Sequence, residues 1–313
     1  MPIGVEHAWI ARADAVDRVL AALHFFSKSD QSGTTMATCF RGFYFHFLDI
    51  ETGLRVWQSE LSSIDTASLI AGMLTAALYF DADSAAETEL RQVADALYLR
   101  VDWRWAQREG RVHQFSHAWI DFRGIRDHFM REKNSDYLEN SRRATLVRRD
   151  DAIRNPSGFT GYGQDRWGLS AGDGPSVEPR AVAGRRQAFY GYAARGVPWG
   201  PDDGTIAGSS TLASIVFAPE IALPAVRAMV AGRAGGRGES LRASGFNGTA
   251  RVLGSTDWLF EGEFALDQGL TVLMLENFRT GLMWQLTRRS PFIRAGLKRA
   301  GFKGGWLAAG LRD

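Results

Sequence analysis

Apolar positions along most of the chain recur at three- and four-residue spacing, so the pattern predicts a mainly helical protein. A first helix is read over 6–26. The aromatic run Phe43-Tyr44-Phe45 then interrupts the helical pattern and predicts a β-hairpin over 42–57, turning at Glu51-Thr52-Gly53. Residues 64–80 are apolar on nearly every face and read as a buried inner helix, as do 267–289 near the end of the chain. Between them, 85–105, 117–132 and 136–154 read as further helices, the last opened by Asp136 with Glu139 and stopped at Asn155-Pro156. A glycine-rich stretch, 157–210, reads as long loops over a site. Pro219-Glu220 opens a helix that Pro224 should kink, and 233–265 is irregular with short strands. Alternating helices with loops gathered at one end suggest an all-α, α/α-barrel architecture in a single domain spanning 1–313.

Composition narrows the function more than the fold. The net charge of +2 makes no case for nucleic acid, and the single Cys39 allows neither an internal disulfide nor a cysteine-based zinc site. No signal peptide is visible at the N-terminus, and the apolar stretch Ile64–Phe80 is short and carries polar breaks, so no membrane span is expected. Ten tryptophans supply flat faces of the kind that stack on sugars, although most buried aromatics simply fill cores.

Trp57 and Glu60 stand just before the buried helix, where a carboxylate and an aromatic face would meet at a site mouth. Asp65 either caps that helix with Ser62 or reaches a ligand. Asp173 sits in Gly172-Asp173-Gly174-Pro175, a loop held open by glycines or an Asx turn, and Asp203 is a weaker equivalent. His113, His117 and Asp121 fall at helical four-residue steps. They read as sugar hydrogen-bonding groups with Arg123 rather than as a metal triad, because the His-Glu-x-x-His pattern is missing. Asp267, beside Gln268, is either an N-cap or a ligand, whereas Glu276 with Arg279 and Glu220 read as structural acids. Gly168–Gly172 matches the G-x-S-x-G elbow, but no histidine follows it. Asn247-Gly248-Thr249 fits a glycosylation acceptor. No metal and no cofactor are implied.

The blocks GFYFHFLDIETG, HQFSHAWIDFRG, GYGQDRWGLSAGDGP, DDGTIAG, FAPE and LDQGLTVLMLENFRTGLMWQL, in that order, resemble successive blocks of the glucoamylase-like proteins. These include the endo-β-1,2-glucanases of glycoside hydrolase family 144, and a related domain occurs in cyclic β-1,2-glucan synthases. The resemblance implies an (α/α)6 barrel, a glucan substrate and export to the periplasm. In the family, a helical hairpin carrying a catalytic glutamate lies between the blocks that end here at Trp105 and begin at His113. Here only AQREGRV joins them, and nothing in 106–112 replaces that acid.

Glycosidases use two carboxyl groups across the scissile bond. The retained candidates are Glu60 and Asp173 as catalytic acids, with Trp57, Asp65, His117, Asp121, Arg123, Trp167, Asp267 and Gln268 around the sugar. The chain therefore reads as a glycoside hydrolase acting on β-glucan, most simply β-1,2-glucan. The alternative is a glucan-binding relative impaired by loss of the hairpin. The gap left in the barrel would present an apolar strip that a second copy of the chain could cover.

Overall fold

The structure is a computed structural model, which describes residues 1–106, 114–197, 200–231, 245–250, 258–260, 262 and 264–308. Residues 107–113, where the shortened join and His113 fall, and the glycine-rich 232–238 lie outside the described residues. Helices dominate, and the strands among the described residues form four two-stranded antiparallel pairs. The chain groups into two compact units. One holds Met1–Asp121, Leu282–Phe302 and the chain from Trp306 on; the other holds Phe122–Gly281 and Lys303–Gly305.

In the first unit, the helices Arg12–Lys28 and Ser63–Tyr79 both pack on Ala85–Arg100. Their shared core contains Leu23, Phe43, Ile70, Leu74, Phe80, Leu90 and Leu97. Each such side chain contributes about 1.5–3 kcal/mol by leaving water. The expected inner helix is present, and no residue from Ser68 to Tyr79 is exposed. Its start is fixed by Ser62, whose hydroxyl accepts the Asp65 amide at 3.1 Å. Asp65 does not return the bond as a capping box would, because the Ser62 amide is already held by the Tyr44 carbonyl at 2.9 Å. Ser62→Ala should therefore cost about 1 kcal/mol, read as a lower urea midpoint with an unchanged m-value.

The aromatic hairpin has two turns, of which the sequence pattern indicated one. Arg41 and Gly42, both at positive φ (52° and 80°), form the tight turn between Cys39–Phe40 and Phe43–Tyr44. A Cβ on Gly42 would lie 2.6 Å from the Val101 Cα, so only glycine fits. The Glu51-Thr52-Gly53 turn forms as expected, closed by the Leu48–Arg55 bridge and anchored on the Asp49 carboxylate, which accepts the Glu51 and Thr52 amides.

Four predicted helices differ, the first being 85–105, which ends at Arg100 and is followed by the separate short helix Trp103–Ala106. The span 6–26 is broken at His7–Ala11, where Ala8 turns left-handed. The span 117–132 is not one helix: a 3₁₀ turn, Gln114–Ala118, leads to an irregular run, and only His128–Glu132 is α-helical. The cause is tertiary. The carbonyls of His117 and Asp121 accept Trp284 Nε1 and Trp306 Nε1, each at 2.7 Å, and that of Trp119 accepts the Thr287 hydroxyl, in place of amides four residues on. The span 267–289 is two helices, Ala265–Arg279 and Leu282–Arg288, separated by left-handed Gly281 (φ 71°). The first of these leaves Leu266, Val272 and Phe278 exposed, so it is not apolar-packed on every face. Helix Tyr137–Arg154 keeps its predicted Asp136 cap and left-handed Asn155 stop, and Pro219–Val230 runs through Pro224.

Candidate functional site

The returning arm of the hairpin brings Trp57 and Glu60 to the amino end of helix Ser63–Tyr79. Its register is set by His46 N–H donating to the Glu60 carbonyl at 2.8 Å and by the Phe45–Leu61 bridge. Ser59 is buried, and its hydroxyl bonds the Phe47 backbone on both sides. Trp57 and Gln58 are both left-handed (φ 55° and 53°), a conformation costing about 1–3 kcal/mol per non-glycine residue. The result is a Trp57 side chain 83% exposed, tilted on Phe47 with ring centroids 5.4 Å apart. Behind it, His46 Nδ1 lies 3.2 Å from an Asp65 oxygen and 3.9 Å from a Glu60 oxygen. His46 thus lies within ion-pairing distance of two carboxylates. Sequence reasoning missed it, because its only signal is a polar residue set between Phe45 and Phe47 within the predicted hairpin.

In the second unit, Asp173 follows the short strand Ala171–Gly172, paired with Ala193–Ala194. The loop is organised by a fully buried ion pair. Arg195 Nε and Nη2 meet the two Asp203 carboxylate oxygens at 2.7 and 2.9 Å, and Nη1 donates to the Gly172 carbonyl at 2.8 Å. Asp203 also accepts the Tyr190 amide at 3.0 Å and the Thr205 amide at 3.1 Å. Burial alone would raise the Asp203 carboxyl, but the Arg195 guanidinium and these amides outweigh it and hold the pKa below the usual carboxylate value. Gly174 is required, since a Cβ there would lie 2.5 Å from the Tyr190 carbonyl oxygen. Asp173 itself is half-buried, and Tyr192 on the facing segment is exposed. The neighbouring Asp202 behaves oppositely to Asp203. Burial raises its carboxyl, although Tyr162 donates to it at 2.6 Å.

Several expected site residues are structural. Trp167 is 1% exposed and packs with Ala152, Ile215, Ala222 and Ala225, so it offers no face to a sugar. His117 and Asp121 are equally buried, and without a helix there they do not share a helical face. The Asp121 carboxylate is held by Arg288. Arg123 is exposed. Asp267 and Gln268 lie half-buried in the first turn of their helix; the N-cap is Phe264, so Asp267 is not the cap, and its charge instead favours the helix dipole. Glu276 pairs with Arg279 and Glu220 with Arg142, as structural acids do.

Two further motifs resolve. After Ser170 the chain enters the strand Ala171–Gly172 rather than a helix, so no nucleophile elbow forms. Asn247 is fully buried, its Nδ2 donating to the Asp203 carbonyl at 2.9 Å and the Thr205 hydroxyl at 3.0 Å, and so cannot accept a glycan. Among the described residues no group of three or more His, Cys, Asp and Glu is arranged to hold a metal, and no helix is long and apolar enough to cross a membrane.

A structure of this kind is already represented among glucan-active proteins. The fold matches that of a glucoamylase homologue from Bacteroides uniformis ATCC 8492 at TM-score 0.77, with 24% identity over 97% of this chain and 86% of that one. It matches the endo-β-1,2-glucanase of Chitinophaga pinensis, solved with sophorotriose and glucose, at TM-score 0.76, with 23% identity over 97% and 85%. The chain therefore has the α/α-barrel fold of these proteins. Residues 111–291 match the family model described as "Glycoamylase: Putative glucoamylase", and the chain belongs to that family. It is also 21% identical over 392 residues to the exo-β-1,2-glucooligosaccharide sophorohydrolase (non-reducing end) of Parabacteroides distasonis, covering 95% of this chain and 50% of that protein. The chain thus spans about half the length of that curated relative.

Proposed function

We propose that the chain is a glycoside hydrolase acting on β-1,2-linked glucan by carboxylate general acid–base chemistry. The likeness to a sophorohydrolase along 95% of this chain, and to an endo-β-1,2-glucanase in fold, supports the substrate class. The observation that carries the site is Trp57. A tryptophan held almost fully in water by two left-handed residues, three residues before Glu60, is costly unless its face is used.

In this reading a glucosyl ring stacks on Trp57. Each unit supplies one candidate reacting carboxyl, Glu60 in the first, oriented by His46 with Asp65, and Asp173 in the second. Asp267, Gln268 and Arg123 bind sugar hydroxyls. In the same reading the chain is a single domain spanning 1–313. The periplasm is the proposed compartment.

The test is a panel of β-1,2-, β-1,3-, β-1,4- and β-1,6-glucans with product analysis. Cleavage confined to the β-1,2 linkage is expected, and cleavage of another linkage alone would reject the substrate. Trp57→Ala should raise KM several-fold while changing stability by no more than about 0.5 kcal/mol, as an exposed side chain should. An unchanged KM would remove Trp57 from the site.

A further inference from the structure

Within the first unit, a groove of about 310 Å³ runs along one face of helix Ser63–Tyr79. Ile64, Ala67, Ala71 and Leu74 form one wall at helical spacing. Tyr98 and Trp103 stand opposite, with Trp119, Ile120 and Ile293 completing it. The hydroxyls of Ser63, Ser68 and Ser116 are its main polar features, and among the described residues no charged side chain lines it.

The groove begins at Ser63, three residues after Glu60, a chain distance of at most about 10 Å. It is therefore within one small molecule's reach of the carboxylates at the helix start. A saccharide is a poor occupant. Each sugar hydroxyl buried without a partner costs about 2–7 kcal/mol, and three serines cannot satisfy a ring of them. A charged ligand is poorer still. A second copy of the chain is also a poor fit, because a stable interface needs about 1,200 Å² or more of buried surface and this feature is a narrow concavity. An uncharged apolar group fits aromatic and aliphatic walls of this size.

We propose that this groove binds the apolar aglycone of a glycoside whose sugar lies at Trp57 and Glu60. The inference rests on the proposed glycosidase reading for the placement of the sugar, and it extends the substrate class to amphipathic glucosides. Such a ligand would lie across the helix start, its sugar on the polar side and its aglycone against Ala67, Ala71 and Trp119.

The test titrates the purified chain with methyl, phenyl and octyl β-D-glucoside, below micellar concentrations, by calorimetry. Octyl or phenyl glucoside should bind at least about tenfold more tightly than methyl glucoside, as burying several apolar carbons requires. The preferred of the two then shows whether a chain or a ring is taken. Ala71→Phe, which fills the groove, should abolish that preference and leave methyl glucoside affinity unchanged. Equal affinities for all three glucosides, or a dimer in sedimentation whose dissociation exposes the groove, would overturn the proposal. If Ala71→Phe fails to fold by circular dichroism, the series on the unaltered chain still decides. Release of sugars from β-1,2-glucan is scored separately. Cleavage without an aglycone preference removes only this inference, whereas an aglycone preference without cleavage removes only the hydrolase reading.

Discussion

Glu60→Gln and Asp173→Asn should each lower kcat on β-1,2-glucan by about 10²–10⁴-fold, the range lost when a general acid or base is removed. Both changes keep the side-chain shape. Glu60 is exposed and Asp173 half-buried, with neither in the buried ion pair, so the melting temperature should hold within a degree or two. His46→Gln separates a reacting group from a positioning one. His46 contacts Glu60 and Asp65 rather than a sugar in this account. Its loss should lower kcat less than loss of Glu60. Equal losses of kcat for His46→Gln and Glu60→Gln would contradict the assignment of His46 as a positioning residue.

Arg195→Met should be the most destabilising single change in the second unit, costing about 3–5 kcal/mol, because it leaves the Asp203 carboxylate buried without its cation. Both side chains are 1% exposed or less, so water cannot compensate. The pH dependence carries a sign. In the unaltered protein the Asp203 pKa is depressed below its ordinary value of 3.8. Its contribution to stability is therefore present above that value and lost as pH falls through the lower folded pKa. In the variant, burial dominates and raises the folded pKa, so protonation relieves the penalty. The stability gap between the two proteins should narrow as pH falls from neutral toward 4. Urea midpoints measured across that range check it, and a gap that widens on acidification would contradict the assignment. Activity should fall as well, since Arg195 also holds the Gly172 carbonyl next to Asp173.

Local signals were legible wherever the chain itself decides the geometry. Asp136 with Glu139, Asn155-Pro156, Ser62, Pro219 and the Asp49–Gly53 turn all formed where residue chemistry places them. What was not legible depends on partners far away in sequence. The helical spacing of His117, Asp121 and their neighbours was overridden by tryptophans more than 160 residues away that capture their carbonyls. Trp57 and Trp167 are the same residue type in similarly polar surroundings, yet one is 83% and the other 1% exposed. No local pattern separates them. Asp203, ranked below Asp173, proved to be the structural centre of its loop because Arg195, eight residues earlier, turns back onto it. His46 became visible only once the hairpin register was set.

The central claim is that this chain hydrolyses β-1,2-glucan with the carboxylates it retains. Incubating purified protein with linear β-1,2-glucan, and following products by chromatography and mass spectrometry beside Glu60→Gln, tests it most directly. The account predicts time-dependent release of sophoro-oligosaccharides or sophorose that the substitution suppresses by about two orders of magnitude or more. Tight binding of the glucan with no release, or release that Glu60→Gln and Asp173→Asn leave unchanged, would contradict it.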